Sequence, residues 1–244
     1  MMIKAILLDI EGTTTPIDFV HKTLFPYAKQ RIREYVAANW SSITEELRML
    51  KEERSADDAY QQPFDESSPT SVSDYLEFLI DSDRKSTPLK SLQGKIWQQG
   101  YEAGDLRSAI YEDVPPALKA WHDNGLQIAI YSSGSVLAQK LIFRYSDHGD
   151  LSSFISEYFD TNIGHKREDQ SYAVIAKKLA RLPGEILFIS DVVPELDAAA
   201  AAGLMTALSV RPGNAAVDHA HSHKSITSFD QLDLYPIRST GDSD

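Results

Sequence analysis

The sequence predicts an α/β protein: a parallel sheet covered by helices on both faces and interrupted after its first strand by an all-helical insert. Three observations carry this reading. Five short apolar segments each end in a turn, helical patterns alternate with them, and residues 13–108 hold no convincing strand. Segment 3–8 (IKAILL) reads as a fully buried parallel strand, because it is short, apolar and stopped at once by Asp9 and a Gly-Thr-Thr-Thr-Pro turn. Segments 127–131, 157–160, 186–190 and 205–210 have the same form. Helical spacing covers 115–123, 135–145, 168–181 and 194–202 between and after them.

Within the insert, Phe19, Val20, Thr23, Leu24, Tyr27, Ala28, Ile32, Tyr35 and Val36 follow helical spacing, with a kink expected at Pro26. Further helices are expected over 43–53, 72–80 and 89–101, with a polar loop over 55–69. The expected domains are a core of 1–12 and 109–235, an insert of 13–108, and a small, acidic tail, 236–244, that frays.

Composition bounds the function. Apolar residues make up 42% and charged residues 25% of the 244, as in soluble globular proteins. Against 24 Lys and Arg stand 36 Asp and Glu, a formal charge of −12. That argues against nucleic acid, which needs a basic face, and against an anionic membrane. A small anionic substrate stays open, since a metal ion and one Lys reverse the sign locally. With no Cys there is no disulfide, thiolate metal site or Cys nucleophile. No apolar run approaches the ~18 residues of a membrane span, and the first residues lack a secretory pattern, so a cytoplasmic protein is expected. Nothing in the pattern resembles coiled-coil heptads, and a monomer is expected.

In open parallel sheets ligands bind outside the carboxyl ends of the strands. The first strand ends in Asp9 and Glu11, the second in Ser132, Ser133 and Gly134. Gly164-His165-Lys166 follows the third, and Asp191 and Glu195 follow the fourth. A carboxylate such as Asp9 can attack phosphorus, and Glu11 can protonate the leaving oxygen and then activate water. Hard oxygen ligands such as Asp191 favour Mg²⁺. The two serines and the adjoining helix start suit a phosphate, and Lys166 can neutralise it. Each residue also has a plain reading. Asp9 and Glu11 can be turn acids, Asp191 or either serine a helix cap, and Lys166 a solvated loop residue. His219, His221 and His223 alternate but sit in a polar stretch, which reads as a surface loop. Gln93, Trp97 and Tyr101 share one helix face, as a core stripe or as residues that face a substrate.

Jointly, and in this order, the motifs resemble the haloacid dehalogenase-like hydrolase superfamily. The resemblance implies a Rossmann-like core and makes the insert a helical cap. It implies Asp9 as nucleophile, Ser132 or Ser133 as the phosphate-binding hydroxyl, Lys166 as the charge-neutralising lysine and Asp191 as the metal-binding acid. Where the superfamily's phosphatases usually carry a second Asp, this chain has Glu11. With that departure, DIEGTTTPIDFV, LQGKIWQQGY, YEDVPPALKAW, IYSSGS and FDTNIGHKRE together resemble the acireductone synthase, or enolase-phosphatase, family of methionine salvage. That resemblance runs from residue 1 to about 229. It implies one Mg²⁺ per chain held by Asp9, Glu11 and Asp191, with Glu195 orienting Lys166 or the metal waters from behind. It also implies a small phosphorylated diketone that is first enolised and then dephosphorylated. Gln93, Trp97 and Tyr101 become candidate specificity residues of the cap. The alternatives are another small-molecule phosphatase of the superfamily, or a non-enzymatic phospho-accepting signalling module. A module of that second kind needs only about 120 residues and no insert.

Overall fold

A strand buried on both faces must be apolar along its whole length, and this chain obeys that rule at the centre of its sheet. The computed structural model describes residues 2–82, 84–217, 220–232 and 234. In chain order the elements begin with β1 (Ala5–Leu8), α1 (Ile17–Phe19), a wide π-type turn over Val20–Leu24, α2 (Phe25–Ala38) and α3 (Thr44–Ser55). They continue with α4 (Pro69–Asp81), α5 (Thr87–Ala103), α6 (Val114–Asp123), β2 (Gln127–Tyr131) and α7 (Val136–Arg144). Last come β3 (Glu157–Phe159), α8 (Asp169–Lys178), β4 (Ile186–Ser190), α9 (Val193–Ala201), β5 (Met205–Ser209) and β6 (Lys224–Ile226). The tail 236–244 and His219 lie outside the described residues.

The chain divides into two compact units. The α/β unit is built from residues up to Pro16, from Ile110–Ser133 and from Asp150 onward. Among the described residues its sheet has the order β3-β2-β1-β4-β5-β6, parallel throughout. Alternation sends Ala5 and Leu7 to one face, where they join Ala129, Tyr131, Phe188, Tyr172 and Leu196 in a core with α8 and α9. On the other face α6 lies against β2 and buries Val114, Leu118 and Trp121, with Trp121 5.3 Å from the Phe229 ring.

The helical unit comprises Ile17–Ala109 and Gly134–Gly149, so it takes in α7 as well as α1 to α5. Helix α7 belongs there because Tyr101 stacks on Tyr145 at 5.3 Å and Gly94 leaves room for Leu137. In place of a kink at Pro26, the chain makes the π-type turn first and sets Pro26 in the first turn of α2. There a missing N–H costs little. Gly100 lets α5 meet α2 closely, since a Cβ there would lie 2.5 Å from the Tyr27 hydroxyl. Among the described residues no helix is long and apolar enough to cross a membrane.

Two further features differ from the expectation. Strand β6 is an addition. His223 is no surface residue: it is buried, with Nδ1 2.8 Å from Thr206 Oγ1 and Nε2 2.9 Å from Asp197 Oδ1. Its neighbours on α9 and β5 use the imidazole to tie down the sheet edge.

Arg211 closes the α/β unit behind β1. Its fork donates to both Asp113 oxygens at 3.0 and 2.8 Å, its NH1 to Thr227 O, and its Nε to Thr13 O at 3.3 Å. Burial alone would raise the Asp113 carboxyl, but the Arg211 fork, helped by the Phe229 N–H, holds it below the usual aspartate range. A depressed carboxylate contributes its full stability above its unfolded value and loses it as pH falls through the folded one. Asp113→Asn is therefore expected to cost about 3 kcal/mol near neutral pH. In urea melts across the acid range, its deficit should shrink as wild-type Asp113 takes up its proton.

Candidate functional site

The parallel register fixes which side chains meet. Leu8 lies opposite Ile130 on one side and Ile189 on the other. Asp9, Tyr131 and Ser190 therefore leave the sheet at one level, at the carboxyl edge where the strand order changes direction. Asp9 is buried, and its N–H donates to Ile189 O at 3.0 Å. Oδ1 accepts from the Ile10 N–H at 2.8 Å, while Oδ2 lies 2.7 Å from Lys166 Nζ. The same ammonium lies 2.6 Å from Glu195 Oε2. The Ser190 hydroxyl stands between the acids, 3.0 Å from Asp9 Oδ2 and 3.2 Å from Glu195 Oε2.

Lys166 is delivered by a turn at Gly164, whose φ is 144° and where a Cβ would lie 2.2 Å from Ser171 Oγ, so a side chain is excluded there. Two tyrosines lock that turn: Tyr131 OH donates to Gly164 O at 2.9 Å and Tyr172 OH to Lys166 O at 2.7 Å. Lys166 is thus a buried ion-pair residue and not a solvated one.

Ser132 is buried at the end of β2 and its N–H continues the ladder to Phe159 O at 3.2 Å, while Ser133 beside it is exposed. Neither caps the following helix. Ser135 does, accepting from the Ala138 N–H. Nor does Asp191 cap α9, whose N-terminal flank is Val192. The acid lies over Gly12, where a Cβ would stand 2.4 Å from Asp191 Oδ2. Glu11 is half-buried in the turn, and its backbone bridges Thr15. In the helical unit Gln93, Trp97 and Tyr101 lie on one buried face of α5. The Trp97 indole donates to Leu24 O at 2.8 Å, and the Tyr101 hydroxyl pairs with Ser108 at 2.6 Å.

Sequence reasoning passed over Ser190 and Asn214. The signal for Ser190 was available, as a lone hydroxyl ending the apolar run ILFIS.

Charge in this site is unbalanced. Burial opposes the Lys166 ammonium, yet Asp9 and Glu195 together hold it protonated, well above the ordinary lysine value. Burial, reinforced by Asp9, pushes Asp191 up to about 7 and raises Glu195 as well. Three carboxylates beside one lysine leave two negative charges in excess when all are ionised. Among the described residues, no three or more His, Asp or Glu side chains are drawn together tightly enough to hold an ion alone.

A haloacid dehalogenase-like hydrolase model matches residues 3–203. The enolase-phosphatase E1 of Synechococcus elongatus is 50% identical over 234 residues, 94% of this chain and 98% of that one. That of Drosophila persimilis is 47% identical over 237 residues, 94% of each. The chain belongs to the enolase-phosphatase E1 family of haloacid dehalogenase-like hydrolases. Among solved structures, the Unknown transcript 4 protein of Saccharomyces cerevisiae superposes with a TM-score of 0.78 at 36% identity, covering 94% of this chain and all of that one.

In this enolase-phosphatase E1 family member the turn after β1 is crowded against Asp191. Gly12 has a φ of 65°, and Gly213, with a φ of 90°, has open space where a Cβ would go. Each glycine-to-alanine change carries the left-handed cost of about 1–2 kcal/mol. Gly12→Ala must also displace Asp191. Denaturant melts should show it clearly less stable than Gly213→Ala.

Proposed function

We propose that this chain is the Mg²⁺-dependent enolase-phosphatase of methionine salvage. It would convert 2,3-diketo-5-methylthiopentyl-1-phosphate to the acireductone 1,2-dihydroxy-3-keto-5-methylthiopentene and phosphate. Membership of the enolase-phosphatase E1 family over nearly the whole chain supports the substrate. One structural observation carries the phosphatase chemistry: a buried Asp9 carboxylate is held in a single orientation by Lys166, Ser190 and the Ile10 N–H at the sheet's carboxyl edge.

The donor set fits a hard divalent cation. Asp9 and Asp191 offer carboxylate oxygens, two excess negative charges await neutralisation, and the bare Gly12 Cα leaves the Asp191 carboxylate room. Asp9 and Asp191 would hold the ion, with a Glu11 oxygen, phosphate and water completing the set. When bound, Mg²⁺ supplies charge neutralisation at the phosphate and at the substrate's carbonyl oxygens.

The protein's own groups divide the remaining work. Ser132, Ser133 and Lys166 hold the phosphate oxygens. Asp9 attacks phosphorus as the bond to the enol oxygen breaks, and Glu11 gives that oxygen a proton. Water then attacks the aspartyl-phosphate, Glu11 recovers the proton, and Asp9 is regenerated with release of phosphate. Glu195 keeps Lys166 aimed throughout, and Ser190 holds the two acids on either side of it. Gln93, Trp97 and Tyr101 remain candidate specificity residues of the helical unit. Action as a cytoplasmic monomer is part of the same reading.

Incubation with the diketone phosphate, with and without Mg²⁺, tests the whole proposal when phosphate and the ultraviolet absorbance of the enol are followed together. Both should rise only with the metal. Phosphate without the chromophore would mark a plain phosphatase. Asp9→Asn should lower phosphate release by at least about 10³-fold while melting cooperatively. Near-normal turnover in that variant would remove Asp9 from the chemistry, and an aspartyl-phosphate stable for hours in the wild type would favour the signalling module.

A further inference from the structure

Asn214 lies beyond β5, 202 positions along the chain from Gly12, yet it touches the turn that follows β1. Its Nδ2 donates to Gly12 O at 2.9 Å and to Ser209 O at 3.2 Å. Two carbonyl acceptors on one end of the carboxamide fix its orientation, since only the NH₂ can donate. Oδ1 therefore points the other way. It is shielded from solvent and accepts no hydrogen bond from any described residue. An unsatisfied buried carbonyl is costly and marks a missing donor.

The place where that donor belongs is defined by Gly12. A Cβ built there would lie 2.8 Å from Asn214 Oδ1 and 2.4 Å from Asp191 Oδ2. Both oxygens thus close on the bare Gly12 Cα from the same side. A water between them can donate to both, and a water bound to a cation donates most strongly.

We propose that Asn214 is a positioning residue for the divalent cation: its carboxamide oxygen accepts a hydrogen bond from a water of the hydrated ion held at Asp191. The proposal rests on the metal reading above and adds a residue to it. Gly12 then has a chemical purpose as well as a conformational one, because a side chain there would displace Asp191 Oδ2 and Asn214 Oδ1, the two oxygens that the water joins. Ser209, whose Oγ also donates to Gly12 O, at 3.1 Å, supports the same turn without offering an oxygen to this space.

Mn²⁺ serves as the probe, since it takes hard oxygen ligands and its free form is read directly by electron paramagnetic resonance. The full chain is titrated as wild type, Asp191→Asn, Asn214→Ala, Asn214→Asp and Ser209→Ala, with no substrate present. Groups behind a metal's ligands typically contribute 10–100-fold to affinity. Asn214→Ala should therefore weaken Mn²⁺ by at least ~10-fold, and Ser209→Ala by no more than ~2-fold. Asn214→Asp loses both N–H bonds but keeps an oxygen in place, so it should bind Mn²⁺ at least as well as the wild type. If Asn214 only braces the turn, the Asp variant will bind as weakly as the Ala variant, and the proposal is overturned. Equal losses in Asn214→Ala and Ser209→Ala would overturn it too. Should Asn214→Ala fail to fold, as judged by circular dichroism, the Asp variant decides alone. A wild type that binds no Mn²⁺, or binds it no better than Asp191→Asn, would refute the metal reading itself, a result distinct from either of the others.

Discussion

The buried Lys166 ammonium, within 2.7 Å of Asp9 and 2.6 Å of Glu195, is the interaction on which the α/β unit's working edge depends. Burying three charged groups is expensive, and Coulomb attraction offsets the cost only where the geometry is rigid and the remaining polar atoms are satisfied. The sheet provides the rigidity. Asp9 follows β1 at the centre, Ser190 ends β4 beside it, and Glu195 sits in the first turn of α9, five residues further on. Lys166 comes from outside this group, on a loop that only Gly164 can form and that Tyr131 and Tyr172 hold by their hydroxyls. Both tyrosine bodies belong to the hydrophobic core beneath the site. The polar cluster is therefore anchored through side chains whose other ends are packed, and a change in that core would be felt at Lys166.

The Gly12 turn is a second point of convergence, reached from the opposite side of the sheet. Ser209 and Asn214 bind its carbonyl, and Arg211 binds the next one. Arg211 is itself gripped by Asp113 and flanked by Tyr111 and Phe229 at 4.7 and 4.8 Å. So the segment after β5 fastens the segment after β1, while the segment after β3 supplies its cation. Each loop is on the carboxyl edge because every strand runs the same way, and none of the three neighbours another in the sequence.

What was legible in the sequence follows from burial. Strands β2 and β4 have the expected limits because an uninterrupted apolar run has no other stable place than a sheet interior. Strand β6 left no such trace: it lies at the edge, only Ile226 is buried, and Lys224 and Ser225 read as loop. His223 was misread for a related reason. Its polar surroundings in sequence say nothing of Thr206 and Asp197, which reach it from another strand and a helix. At the site, Asp9, Lys166, Asp191 and Glu195 were visible as polar residues placed just after apolar runs. Whether Asp191, Ser132 or Ser133 caps a helix was not visible, since Ser135 or Ser133 could cap α7 equally well by sequence, and backbone geometry chooses Ser135. Asn214 was beyond reach, because its partners lie at positions 12 and 209 and only the folded sheet brings those together.

The site also changes what the formal charge of −12 means. An acidic protein with three carboxylates at one rim repels a phosphate, and Lys166 cannot reverse that alone because two of those acids already share it. Desolvation, reinforced by Asp9, raises the Asp191 and Glu195 carboxyls, so the excess negative charge at this rim is itself disfavoured. In the proposed reading a divalent cation would offset the same charge without protons and turn the rim attractive to an anion. Ion and phosphate then each strengthen the other's binding, since each supplies charge the other lacks. On the proposed reading, the excess acidity would make phosphate recognition conditional on the metal.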